Sequence, residues 1–197
     1  MLPPSLDDRF LLRAPTLDDA ASALAIHCDP RTNPFRPGGP PSEAEILSSL
    51  DTWLAHWATR RFGYWAAIER STGIIAGFGG IMEKPVGLHH SGLNLYYRLA
   101  PEFWGCGLAT HIGHSALKEA FQSQSATEVF ARVLSTNLPS RRVLQRLRMT
   151  ILASEPAAPD EYLIYSLPKS QYAPPEPLPG KRPWRRCGSP RLLSPCP

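Results

Sequence analysis

The sequence predicts an α/β (α+β) domain, because apolar strands and amphipathic helices follow one another along most of its 197 residues. Residues 64–69 and 74–82 are apolar or alternating runs joined by a short turn, which is typical of a β-hairpin. Residues 42–57 combine a helix start signal with an apolar stripe at helical spacing. Residues 96–110 contain a strand that stops at a proline, a turn with two glycines and the start of a further helix.

The N-terminal part of the chain is predicted to contain one strand and two helices. Residues 9–14 form an apolar stretch before a proline and are expected to be a strand. Thr16 precedes two acidic residues at the start of a helix that should run to about His27. Residues 29–41 are rich in proline and glycine, so no regular structure is expected there. A capping box over residues 42–45 then starts the second helix.

Shorter signals predict the remaining elements. Residues 85–92 are expected to form a loop that carries His89 and His90. Further strands are predicted at residues 93–99, 129–134, 151–153 and 162–167, with further helices from Leu108 to about Phe121 and at residues 140–147.

The chain is predicted to consist of a folded domain at residues 1–167 and a tail at residues 168–197. Nine of the thirty tail residues are proline, so the tail is expected to be disordered. The tail carries six basic residues against one acidic residue, which leaves the domain close to neutral within a net charge of +4. A nucleic-acid partner is therefore not expected for the domain, and the prolines favour a solvated tail over a nucleic-acid or membrane-surface segment.

Composition also bounds the setting of the protein. No run approaches the ~20 apolar residues of a membrane span, and residues 1–8 lack the pattern of a signal peptide. No membrane partner and a cytoplasmic location are therefore expected. The cysteines at positions 28, 106, 187 and 196 show no metal-ligand spacing, so reduced thiols and no metal site are expected.

The turn with two glycines is the main candidate for a binding site. Gly105 and Gly107 can adopt backbone angles closed to other residues and allow a ligand to approach the main chain. With the following helix start, such a turn can hold a phosphate or pyrophosphate. The alternative is a helix entry turn without a ligand. Cys106 could be a nucleophile, but no cysteine–histidine pair is evident, and filling the variable position of the turn is favoured.

Motifs on both sides of this turn occur in a specific order. They are Gly77-Phe78-Gly79-Gly80-Ile81, Tyr97-Arg98-Leu99-Ala100-Pro101-Glu102, Phe103-Trp104-Gly105-Cys106-Gly107, Ala120-Phe121 and Asn137-Leu138-Pro139-Ser140, followed by Arg142-Val143-Leu144. Together they resemble the GNAT superfamily of N-acetyltransferases, and most closely its ribosomal-protein N-terminal acetyltransferase branch. The resemblance covers roughly residues 9–167. It implies the acyl-CoA N-acyltransferase fold, a strongly twisted, mixed but mostly antiparallel sheet with helices on both faces.

The resemblance implies acetyl-CoA as the cosubstrate. In the superfamily, the strand before the turn separates from the strand after its helix, and the pantetheine arm enters that gap. Main-chain groups around Leu99 would pair with the arm, and Asn137 would hydrogen-bond it, unless its side chain forms an Asx turn instead. The pyrophosphate would be held by N–H groups of Trp104, Gly105, Cys106, Gly107, Leu108 and Ala109.

The resemblance also supplies catalytic candidates. Ser140 is the candidate acid that protonates the leaving thiolate, with helix capping as its alternative. Arg141 and Arg142 either meet the outer phosphate or are solvated. The general base is left open among Glu83, His89, His90, His111, Asp160, Glu161 and a water chain.

The function expected from the resemblance is acetyl transfer from acetyl-CoA to a primary amine in a ternary complex. The acceptor is left open among a protein N-terminus, a small amine and an amino-sugar drug, and a homodimer is left open as well. The alternative is a CoA-binding regulatory module with weak catalysis. Three departures from the family favour it. Asn94 and Tyr96 stand where an acidic residue is frequent, His111 stands where glutamate is frequent, and residues 147–149 read Leu-Arg-Met instead of Leu-Gly-Phe.

Overall fold

Strand pairing organises the chain into one sheet in a computed structural model that describes residues 6–36, 38–158 and 160–174. The α-helices are α1 (Leu6–Arg9), α2 (Ala20–Cys28), α3 (Glu43–Arg60), α4 (Leu108–Lys118) and α5 (Leu138–Arg146). The strands are β1 (Phe10–Arg13), β2 (Tyr64–Glu69), β3 (Ile75–Val86), β4 (His90–Leu99), β5 (Glu128–Leu134), β6 (Thr150–Ala157) and β7 (Asp160–Pro168). Their order in the sheet is β1-β2-β3-β4-β5-β7-β6.

The sheet is mixed, as predicted. β1 pairs with β2, and β7 pairs with both β5 and β6, in antiparallel ladders. β4 and β5 pair in parallel, and their register contains only Leu93 opposite Val129 and Asn94 opposite Phe130. Because β5 continues to Leu134 without further pairing to β4, the two strands part after Asn94. This short parallel ladder agrees with the expected gap between the two strands.

The described residues fall into two compact units. The first contains residues 6–79 and 97–109, and its core is aromatic. The His27 ring lies 5.5 Å from that of Trp53 and 5.7 Å from that of Phe78. α3 begins where the capping box predicts, since Glu45 accepts a hydrogen bond from the Ser42 N–H at 2.8 Å.

The second unit contains residues 80–96 and 110–174. Val86, Phe130 and Ile164 pack together in its core. A Cβ atom added to Gly113 of α4 would lie 2.4 Å from Cδ1 of Leu147, so a larger residue there would require the Leu147 side chain to move. The absence of a side chain therefore allows α4 to approach the end of α5 closely.

Two predicted loops are wrong in part. Pro30–Thr32 forms a 3₁₀ turn within the segment expected to lack regular structure. Proline is tolerated at the first helical position, and the Asp29 carboxylate accepts the Arg31 N–H at 2.8 Å. The loop predicted at residues 85–92 shrinks to three residues, 87–89, because β3 and β4 extend into a second hairpin.

Helix and strand ends account for the other differences. α4 stops at Lys118 and continues as a π-helical turn over Glu119–Ser123, where one helix was expected to run to Phe121. α5 begins at Leu138 rather than Ser140, because Asn137 caps it and proline is accepted in its first turn. β6 is longer than predicted and contains Pro156, which an edge strand tolerates.

The described chain extends past the predicted domain end at residue 167. Lys169–Gln171 forms a 3₁₀ turn, and the Tyr172 ring lies 4.8 Å from the Phe121 ring. The aromatic contact explains why these residues continue the fold although prolines dominate the sequence beyond them. The predicted disorder of residues 175–197 lies outside the described residues.

Candidate functional site

The turn after β4 has the backbone geometry that its glycines predict. Pro101–Phe103 forms a 3₁₀ turn, closed by a 3.1 Å hydrogen bond from the Trp104 N–H to the Pro101 carbonyl. Gly105 and Gly107 have φ angles of +74° and +88°, in the left-handed region that favours glycine. α4 starts immediately afterwards, at Leu108.

Buried and exposed residues alternate through this turn. Cys106 and Leu108 are buried and anchor the turn to the core of the first unit, while Trp104 is 49% exposed. A Cβ atom added to Gly105 would have no neighbour within 4 Å, so open space lies above the main chain there. The Cys106 thiol is 3.0 Å from the Phe103 carbonyl oxygen, which accepts its hydrogen bond. This contact favours a structural role for Cys106 over a nucleophilic one.

Leu99, at the end of β4, is held on two sides. The Trp104 indole Nε1–H donates to the Leu99 carbonyl oxygen over 3.0 Å. A Cβ atom added to Gly77 would lie 2.5 Å from both the Arg98 carbonyl oxygen and Leu99 Cδ2. Gly77 therefore permits close approach of β3 to the end of β4, as its glycine-rich sequence predicts.

An ion pair that the sequence analysis did not identify braces the same turn. Arg31 lies 3.1 Å from Glu102 and 2.6 Å from Asp29, so its guanidinium joins two 3₁₀ turns of the first unit. Glu102 Oε2 is buried without a hydrogen-bond partner among the described residues. Arginine and glutamate 71 positions apart give no local signal that they will meet.

The turn and the start of α4 together suit an anionic group. The first four N–H groups of an α-helix have no intrahelical acceptor, and they stand at the positive end of the helix dipole. In this chain those groups belong to residues 107–110, beginning at the second of the two left-handed glycines. The Trp104 N–H is already bonded to the Pro101 carbonyl, so this predicted donor is engaged within the turn. The main-chain N–H groups at the end of the turn and the start of α4 have an arrangement that suits a pyrophosphate.

Asn137 and Ser140 lie together in the second unit. The Asn137 side-chain oxygen accepts a hydrogen bond from the Ser140 N–H at 3.2 Å and caps α5. For this oxygen the structure therefore shows the Asx-type turn that was the alternative to a contact with the cofactor. Ser140 is the third residue of the helix, so the alternative in which Ser140 caps it is wrong.

The departure at residues 147–149 leaves the local turn intact. Arg148 has φ +62°, the left-handed conformation that the family's glycine would adopt. Its N–H bonds to the Gln145 carbonyl, and the Met149 N–H bonds to the Leu144 carbonyl, both at 3.0 Å. This pair of bonds is a Schellman motif, with buried Leu144 and Met149 as its hydrophobic contact.

The other polar candidates are spread over the second unit. Arg141 donates to the Ser135 carbonyl at 2.8 Å and to the Tyr165 hydroxyl at 3.4 Å, whereas Arg142 is exposed. The possible bases are placed as follows: Glu83, His89 and Glu161 are exposed, and His90, His111 and Asp160 are half-buried. This placement favours none of them, and the general base stays undetermined.

A cleft of about 410 Å³ lies in the second unit where β4 and β5 separate. It is lined by residues 84–88, by residues 94–96 of β4 and by Arg132 of β5. No local sequence signal predicts this cleft, because Lys84 and Arg132 are far apart in the chain.

Glu155 fixes the position of the β3–β4 turn, which forms one side of this cleft. Its carboxylate accepts the Leu88 N–H and lies 3.3 Å from Arg132 Nε. A Cβ atom added to Gly87 would lie 2.1 Å from Glu155 Oε1, so glycine is required for this approach. The hydrogen bond from the Leu88 N–H, together with the charge of Arg132, lowers the pKa of Glu155. The β3–β4 turn is thus fixed to β6.

Within the described part of the chain, no three His, Cys, Asp or Glu side chains come together as a metal site. None of its helices has both the length and the apolar character needed to cross a bilayer.

Comparison with known proteins relates most of the chain to one family. Residues 9–150 match the model of the acetyltransferase (GNAT) domain. FsC-acetyl coenzyme A-N(2)-transacetylase of Aspergillus fumigatus is 23% identical over 132 residues, which cover 64% of this chain. The match spans only 56% of that relative's length.

Solved structures show the same fold. An acetyltransferase from Agrobacterium tumefaciens superposes with a TM-score of 0.69 and 23% identity, over 81% of this chain and 91% of its own. Ribosomal-protein-S5-alanine acetyltransferase from Vibrio fischeri superposes with a TM-score of 0.66 and 16% identity, over 84% of this chain and 96% of its own.

Proposed function

The chain belongs to the GNAT acetyltransferase family, and from this premise we propose that it transfers an acetyl group from acetyl-CoA to a primary amine. The observation that carries the proposal is the turn of Gly105 and Gly107 at the start of α4. Two left-handed glycines, open space above Gly105 and the positive end of a helix lie together there. This combination is suited to a pyrophosphate, the charged centre of the proposed cosubstrate.

The proposed contacts to acetyl-CoA follow the course of the chain. Main-chain N–H groups of residues 105–109 hold the pyrophosphate, and the exposed Trp104 ring borders it. The pantetheine arm pairs with the main chain around Leu99. The Leu99 carbonyl also accepts the hydrogen bond from the Trp104 indole N–H. Asn137 contacts the arm through its side-chain NH₂, because its side-chain oxygen caps α5.

In the proposed reaction the amine nitrogen attacks the thioester carbonyl carbon, the carbon–sulfur bond breaks and the thiolate leaves. The Ser140 hydroxyl gives its proton to that thiolate and takes up a proton from water in exchange. Backbone N–H groups near residues 97–99 stabilise the developing oxyanion, a contact worth about 3 kcal/mol in other enzymes. The proton of the amine leaves to one of the undetermined bases or to a water chain.

The acceptor of the acetyl group is proposed to be a primary amine of one of two kinds. A protein N-terminus and a small amine both remain candidates. The ribosomal-protein branch stays a prediction from the motifs, because the likeness to the Vibrio fischeri enzyme concerns the fold alone. A cytoplasmic location and a homodimer likewise stay predictions.

The first experiment is a calorimetric titration with acetyl-CoA. The parent protein should bind with a Kd on the order of micromolar, and Gly107→Trp should abolish binding by filling the turn. Gly73→Trp is the matched control, because Gly73 has φ +72° in an open hairpin turn of the same unit. Absence of binding by a folded parent, shown by circular dichroism, would overturn the proposed function.

A panel of amines with detection of released CoA thiol tests the transfer itself. Binding without thiol release from any amine would favour the regulatory CoA-binding module. The Schellman motif at residues 144–149 weakens that alternative, because the sequence departure there leaves the family-like turn in place.

A further inference from the structure

The cleft in the second unit carries an excess of positive charge. Lys84 and Arg132 line it, and none of the described residues that line it is acidic. The cleft is also partly apolar, with Val86 and Leu88 in its lining, and Leu88 is 75% exposed. A ligand that matches this surface combines a negative charge with an apolar group.

Arg132 is oriented by its neighbours but keeps donors available. Its Nε donates to Glu155, and its guanidinium carbon lies 3.4 Å from the centroid of the Tyr162 ring. Its two terminal nitrogens have no acceptor among the described residues. A stacked guanidinium with a fixed Nε presents these remaining N–H groups in a defined direction, which suits a carboxylate.

Lys84 is the second cation of the cleft. It is exposed, and its ammonium has no carboxylate or carbonyl partner among the described residues. Partial desolvation and repulsion by Arg132 lower its pKa. Glu155 is already engaged by Leu88 and Arg132, so Lys84 has no compensating anion among the residues that line the cleft. A bound anion would relieve this repulsion.

We propose that this cleft binds the carboxylate of the acceptor, so that the enzyme acetylates small amines of the amino-acid class with an apolar side chain. This inference rests on the proposed acetyl transfer. The cleft opens where β4 and β5 part, which is the gap that the pantetheine arm of the proposed cosubstrate would enter. Polycationic amines, such as amino-sugar drugs, are disfavoured by the same two charges.

The test separates binding of the carboxylate from catalysis. N-acetyl-L-leucine and N-acetyl-L-leucinamide differ in the carboxylate alone and carry no amine, so their affinities are compared by calorimetric titration. The acid should bind at least about tenfold more tightly, the loss expected when a charge-assisted hydrogen bond is removed. Lys84→Met should abolish this preference, and Lys84→Glu should reverse it. Lys118→Met, at an exposed lysine of α4, is the control and should keep it.

A turnover assay gives the second arm, with CoA release measured for L-leucine, L-leucinamide and a leucyl peptide. Lys84→Met should lower kcat/KM for L-leucine about tenfold and leave the other two nearly unchanged. Equal binding of acid and amide, or a preference that survives Lys84→Met, would overturn the inference even if amines are acetylated. Binding of the acid without thiol release from any amine would instead overturn the proposed function and leave the anion site standing.

Discussion

Leu99 and Trp104 are joined by a 3.0 Å hydrogen bond, in which the Trp104 indole Nε1–H donates to the Leu99 carbonyl. The bond ties the last residue of β4 to the turn that follows. Since the strand end and the turn are both proposed to contact acetyl-CoA, this bond fixes two parts of one binding surface before the ligand arrives.

Trp104→Phe should weaken binding of acetyl-CoA about fivefold, the equivalent of one neutral hydrogen bond of about 1 kcal/mol. The ring is retained, so the change isolates the indole N–H. Trp57→Phe is the matched control, because the Trp57 indole donates to the Tyr64 carbonyl at 2.7 Å, away from the turn. Equal affinities of parent and Trp104→Phe in calorimetric titration would show that the bond does not preorganise the site.

Ser140→Ala should lower kcat about 100-fold, within the range for loss of a general acid, while the Kd of acetyl-CoA stays unchanged. Ser140→Thr retains a hydroxyl and should recover part of the rate. Ser49→Ala, at a half-buried helical serine of α3, serves as the control. A steady-state rate unaffected by Ser140→Ala would mean that another group protonates the thiolate.

Arg148→Gly should raise the free energy of unfolding by about 1 kcal/mol, because Arg148 pays the cost of a left-handed backbone that glycine adopts freely. The reverse effect, a loss of about 1 kcal/mol, is expected for Arg142→Gly in the regular part of α5. Urea denaturation of both variants checks the pair. A destabilised Arg148→Gly would show that the arginine side chain contributes more than its backbone costs.

The neutral His27 ring should make the fold sensitive to acid. Burial, and to a smaller extent the charge of Arg98, lower its pKa from 6.5 to about 4, while its Nδ1 contacts the Ala23 carbonyl at 2.8 Å. The folded state therefore resists protonation, and the stability is complete above pH 6.5 and declines as the pH falls toward 4. The full difference corresponds to about 3 kcal/mol.

Denaturation curves at pH 8, 6 and 4.5 check this expectation, each protein being compared with its own value at pH 8. In His27→Phe the decline between pH 6.5 and 4.5 should be much shallower, because no buried imidazole is left to protonate. The same decline in both proteins would assign it to other groups.

The regular elements were largely predictable because their signals are local. The capping box at residues 42–45 predicted the start of α3, and the turn before β3 predicted the β2–β3 hairpin. Both Asn137 and Ser140 could cap α5. Asn137 is the cap, because the helix accepts Pro139 in its first turn. Such competition between neighbouring caps is decided by packing, which the sequence does not display.

The glycine turn could be predicted as a site, but the cleft could not. The φ angles of Gly105 and Gly107 follow from residue type, and motif order added the cofactor. The meeting of Lys84 and Arg132, and the use of Glu155 by the β3–β4 turn, depend on strand register. Register is set by pairing between distant segments of the chain. The sequence alone therefore does not distinguish Lys84, Arg132 and Glu155 from ordinary charged surface residues.

The contact between Phe121 and Tyr172 determines where the polypeptide can be shortened or joined to another protein. Phe121 is 2% exposed with its centroid 4.8 Å from that of Tyr172. A protein ending at residue 167 would uncover this aromatic ring at the π-helical end of α4 and should lose solubility, whereas one ending after residue 174 keeps every described contact. An affinity tag or fluorescent fusion partner therefore belongs beyond residue 174.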